Sequence, residues 1–96
     1  MNPEKIFVKA WKSYEADKFS NSLRLFEQAV KLAEDGAQRD RFLANSCYVL
    51  VALRRFAKAK TIYKALFKKS HSHIYLHQLG MVERESGNYR KASQLY

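Results

Sequence analysis

Three eight-residue stretches decide how this chain is read: Phe19-Ser-Asn-Ser-Leu-Arg-Leu-Phe26, Phe56-Ala-Lys-Ala-Lys-Thr-Ile-Tyr63 and Tyr89-Arg-Lys-Ala-Ser-Gln-Leu-Tyr96. Each has an aromatic residue, a small residue three positions later (Ser22, Ala59, Ala92), and a second aromatic four positions after that. The first aromatics are 37 residues apart between Phe19 and Phe56 and 33 apart between Phe56 and Tyr89. A recurring period of this size is the mark of a repeat architecture. The physical sense of the pattern is packing. A small side chain lets two helices approach closely, and a ring one turn on fills the space beside the contact.

Upstream of each octet lies a second amphipathic stretch, Ile6 to Ala16, Phe42 to Leu53 and Ile74 to Glu85, with apolar residues three and four apart. That is the helix period. The unit is therefore a helical hairpin, and helices are expected over 3–16, 19–34, 40–53, 56–69, 72–86 and 89–96. Asn2 followed by Pro3 is a helix start, because Asn caps well and proline lacks only an N–H that has no helical partner. Asp17, Gly36 and Gly87 stand at the expected breaks, where turn or left-handed backbone is needed. The 37-residue spacing predicts a longer loop over Glu34 to Asp40.

The arrangement resembles the tetratricopeptide repeat, whose first helix carries an aromatic-Leu-Gly-aromatic signature and whose second carries Ala-x3-aromatic. The third unit matches best, with Leu76, Leu79, Gly80, Gly87, Tyr89, Ala92 and Tyr96; the second has Leu43, Cys47, Leu50, Phe56, Ala59 and Tyr63; the first has Ile6, Ala10, Phe19, Ser22, Phe26 and Ala29. The proline that commonly ends the family's second helix is missing from every unit, and Glu83 stands where an aromatic is common. The resemblance implies an all-α, right-handed α-solenoid of helix-turn-helix hairpins. It would form a single domain over 1–96, with about two and a half to three repeats near 3–36, 40–70 and 72–96. The last hairpin has about two turns for its second helix. Because each hairpin leaves an apolar face for the next to cover, the sequence is expected to be the N-terminal part of a longer repeat protein.

By the same resemblance, the first helices line a concave groove that takes a protein or peptide ligand. The residues placed on it are Phe7, Trp11 and Tyr14, then Arg41, Asn45 and Tyr48, then His77, Gln78, Met81 and Arg84. Asn carries a donor and an acceptor together and can pair with an extended backbone, while Trp, Tyr and Arg commonly dominate binding energy. Some family members grip a terminal carboxylate with two lysines, two asparagines and an arginine. Here only Asn45 and Arg41 match that clamp, and Phe7, Trp11, Ile74 and Gln78 occupy its other places, which disfavours that ligand. The expected function is thus an adaptor, scaffold or peptide-binding regulatory module.

Composition bounds the other readings. The 96 residues carry 18 Lys and Arg against nine Asp and Glu, a formal net charge of +9. Such a balance suits nucleic acid, an anionic surface or an acidic partner. Lys60, Lys64 and Lys68 repeat every four residues along one helix stripe, an alternative anion-binding site for nucleic acid, weighed against an ordinary solvated helix exterior. A third reading is self-association through the uncovered end near Tyr89 to Tyr96. Lone Cys47 excludes an internal disulfide and sits where the repeat takes a small buried residue. No run reaches the ~20 apolar residues of a membrane span, and a signal-peptide pattern is lacking, so a cytoplasmic location is expected. His73 and His77 lie four apart, but no Cys, Asp or Glu is close enough to complete a metal site. With no phosphate-cradling glycine loop and no carboxylate pair on one face that looks buried, neither an enzyme nor a cofactor is expected.

Overall fold

A computed structural model gives the fold; residues 2–95 are described, with side chains through Gly87. Five helices follow in order: α1 (Pro3–Glu15), α2 (Phe19–Leu32), α3 (Gly36–Ala52), α4 (Phe56–Ser70) and α5 (His73–Leu95). The described residues are all-helical, with no strand. They group into two compact units, Met1–Leu53 and Arg54–Tyr96. The first holds α1, α2 and α3, and the second holds α4 and α5. The two helices expected to make the second hairpin, α3 and α4, thus belong to different units.

The first unit begins as its sequence dictates. Asn2 Oδ1 accepts from the Glu4 N–H at 2.9 Å, and Pro3 opens α1. The α1–α2 connection is a Schellman turn: Lys18 N–H donates to the Ser13 carbonyl at 2.8 Å and Asp17 N–H to the Tyr14 carbonyl at 3.0 Å. Asp17 carries the left-handed backbone this motif requires, with φ 61. No side chain caps α2, so its stability comes from packing its apolar face, as is usual for helices of this length. That face is Ser22, Leu23, Phe26 and Ala29, all buried. Ser22 Oγ donates to the Ala10 carbonyl at 2.8 Å, tying α2 to α1 where both residues are fully buried.

The expected long loop before α3 is absent. Asp35 Oδ1 accepts from the Gln38 N–H at 2.8 Å, and Gln38 Oε1 accepts from the Glu34 N–H at 2.7 Å. This reciprocal pairing is close kin to a capping box, so the extra residues become the first turn of α3, starting at Gly36. Phe42, Ser46, Cys47, Val49 and Leu50 then face the core.

In the second unit, α4 buries Ala59, Tyr63 and Leu66, and α5 contributes Val82. Tyr63 and Tyr75 bring their rings to 6.5 Å across the pair. The small-then-aromatic positions thus behave alike in both described copies: Ser22 and Ala59 are wholly buried, with Phe26 and Tyr63 buried one turn on. The third copy, Tyr89, Ala92 and Tyr96, lies outside the described side chains, and so does the end proposed for self-association.

One expected break fails, at Gly87, while Gly36 stands at the α2–α3 break without left-handed backbone. Neither Gly36 nor Gly87 has a positive φ, and α5 runs through Gly87 instead of ending near residue 86. A single glycine weakens a helix by about 1 kcal/mol, which does not end it when no proline or capping group intervenes. Left-handed backbone falls instead on Arg54 (φ 59) and His71 (φ 56), just beyond α3 and α4. Gly80, a match to the repeat signature, is exposed, and a Cβ there would meet nothing within 4 Å among the described residues.

Candidate functional site

Six of the ten candidate groove residues lie in the first unit, and five of those six are rings or stand on rings. Phe7 on α1 is the centre of the floor. Its ring stacks on Phe42 of α3 at 4.7 Å and meets Phe26 of α2 edge-on at 5.7 Å. Phe26 and Phe42 are wholly buried and Phe7 is 9% exposed, so this floor belongs to the core.

Trp11, one turn after Phe7, forms the next layer. It meets Phe26 at 5.5 Å, Tyr14 at 5.3 Å and Tyr48 of α3 at 5.7 Å. Trp11 and Tyr14 are half-buried, while Tyr48 is 43% exposed. The three residues therefore make a rim of partly wetted rings, continuous underneath with the buried Phe7, Phe26 and Phe42. Within the rim Trp11 meets Tyr14 edge-on and Tyr48 at an interplanar angle of 51°, offset geometries that aromatic pairs favour over a face-to-face sandwich.

Arg41 closes one end. Its guanidinium lies 5.0 Å from the Phe7 ring centre and 5.1 Å from that of Phe42, and it pairs with the Glu4 carboxylate of α1. Gln38 Nε2 donates to the same carboxylate at 3.2 Å. Asn45 is half-buried, and its amide N–H donates to the Arg41 carbonyl at 2.7 Å, one turn back in α3. One donor of Asn45 is therefore engaged with its own helix, and Arg41 is engaged in holding α3 to α1. Glu4 does not stand out in the sequence; its only mark is an acidic residue in the first turn of a capped helix.

The other four candidates lie on α5. His77, Met81 and Arg84 are exposed and follow one another at helix spacing, with Gln78 half-buried beside them. Ile74 on the same stripe is 67% exposed, an apolar residue that belongs with this set. His73 and His77 gain no third ligand: no group of three or more His, Cys, Asp or Glu suited to a metal forms among the described residues. Cys47 is buried and its Sγ lies 3.5 Å from the Leu43 carbonyl. No described helix is long and apolar enough to cross a membrane.

No family model, no curated protein and no solved structure gives a match to this chain.

Proposed function

We propose that this chain is a non-catalytic helical-repeat interaction module of the tetratricopeptide kind. Its docking face on the first unit is the rim formed by Trp11, Tyr14 and Tyr48. The observation that carries this reading is the Trp11–Tyr48 contact: two large rings from α1 and α3, one half-buried and one exposed, resting on a buried aromatic floor. Such a surface offers apolar area with polar tips at little ordering cost, the character of binding hot spots. The matching burial of Ser22 with Phe26 and of Ala59 with Tyr63 supports the repeat assignment. The ligand this suits is an extended peptide, with apolar side chains on the rings and its backbone within reach of Asn45.

The test uses the chain's single tryptophan, which lies in the rim itself. Peptides selected from a random displayed library against the full chain are titrated while Trp11 emission is followed. Binding through the rim shifts that emission saturably, and the Asn45→Ala/Tyr48→Ala variant, still helical by circular dichroism, loses the shift. Peptides that bind wild type and variant equally would remove the rim from the proposal.

A further inference from the structure

Charge in this protein is distributed very unevenly. The first unit, Met1–Leu53, carries eight Lys and Arg against seven Asp and Glu; the second, Arg54–Tyr96, carries ten against two. Between Arg41 and Val82 there is no acidic residue at all. Most of the net charge of +9 therefore sits on the second unit, and helix α4 with its N-terminal approach is where it is densest.

The packing of α4 determines how that charge is presented. Ala59, Tyr63 and Leu66 are buried, so the opposite side meets solvent. On it, Ala57, Thr61 and Ala65 are exposed, and Lys64 and Lys68 are exposed alongside them, with Lys60 half-buried one turn before. Lys60, Lys64 and Lys68 ascend the helix at about 6 Å per step, and none is paired with a carboxylate among the described residues. Like charges one turn apart repel, and a linear polyanion laid along the row relieves that repulsion. The small residues beside it allow such a chain to come close to the helix.

The composition of this face narrows the occupant. Stacking platforms for single strands interleave exposed aromatic residues with cations, and the exposed positions between these lysines are alanine and threonine. A helix that lies in a membrane surface needs exposed large apolar residues to insert, whereas Tyr63 and Leu66 are committed to the core and Ile62 and Phe67 are half-buried. What is left is a row of point charges suited to the highest linear density of phosphate. Duplex nucleic acid offers it, with one negative charge per about 1.7 Å. We propose that the Lys60–Lys64–Lys68 face of α4 docks along the phosphate backbone of double-stranded nucleic acid without reading its bases.

The test is fluorescence anisotropy of the full chain with a labelled DNA duplex of about 20 base pairs, from about 50 to 200 mM salt. Three phosphate contacts give a log–log salt slope of about −2.7, an affinity loss of about forty-fold over that range. The triple variant Lys60→Gln/Lys64→Gln/Lys68→Gln flattens the slope by about 2 to 3. Lys5→Gln/Lys9→Gln/Lys12→Gln removes the same charge from α1 and leaves the slope close to wild type. If the α4 triple variant loses helicity, Lys64→Gln and Lys68→Gln singly should each lower the slope by about 0.9. Equal loss in both triple variants, tighter binding to the unpaired strand, stronger capture by phosphatidylserine vesicles, or no duplex binding at about 50 mM salt would each overturn the proposal.

Discussion

The Arg41 guanidinium stands over the Phe7 ring at 5.0 Å while its charge meets the Glu4 carboxylate, so one side chain of α3 clasps α1 by both a face and a charge. Both charged partners are about half exposed. The ion pair is therefore worth less than about 1 kcal/mol, and the ring contact adds roughly 0.5–1 kcal/mol. Arg41→Ala is expected to cost about 1 kcal/mol and lower the melting temperature by about 4–8 °C. Arg41→Lys keeps the charge but loses the planar stack, and Glu4→Gln keeps the stack but loses the charge; each should give an intermediate melt. An unchanged Arg41→Ala melting curve would mean the clasp contributes nothing.

Ser22 and Ala59 test whether the small position of the repeat is small because helices meet there. Ser22→Leu and Ala59→Leu push volume into wholly buried sites and should each destabilise by about 1–3 kcal/mol. Ser22→Ala removes only the bond to the Ala10 carbonyl and should cost about 0.5–1.5 kcal/mol. Urea titrations separate these cases, and a leucine tolerated at either site would contradict the close approach.

Gly87 offers a test by sign. It lies within α5, and a Cβ there meets nothing within 4 Å among the described residues. Gly87→Ala should accordingly stabilise by about 0.5–1 kcal/mol and raise helicity at 222 nm. A turn at this position, as the repeat motif demands, would reverse both changes, because alanine resists left-handed backbone.

Cys47 reports on the first unit alone. Its thiol is wholly buried on the core face of α3, and only an exposed thiolate reacts readily. Labelling by a disulfide reagent should be at least about a hundredfold slower in the native chain than in urea, its rate set by opening of the unit. Labelling of the native chain as fast as in urea would place Cys47 at the surface.

Periodicity and local chemistry made much of the fold legible from the sequence. The Asn2-Pro3 start, the left-handed Asp17, the helical period and the burial of Ser22, Phe26, Ala59 and Tyr63 all depend on residues within a turn or two of one another, where side-chain type acts directly on backbone geometry. Even the Asp35–Gln38 cap was written there, though the 37-residue spacing suggested a longer loop. What only tertiary structure decided are contacts between residues far apart in the chain. Glu4 meets Arg41 37 positions away, and Trp11 meets Tyr48 from another helix. These outcomes follow from which faces come together as α1, α2 and α3 pack, and a free energy shared among many distant side chains leaves no short motif to read.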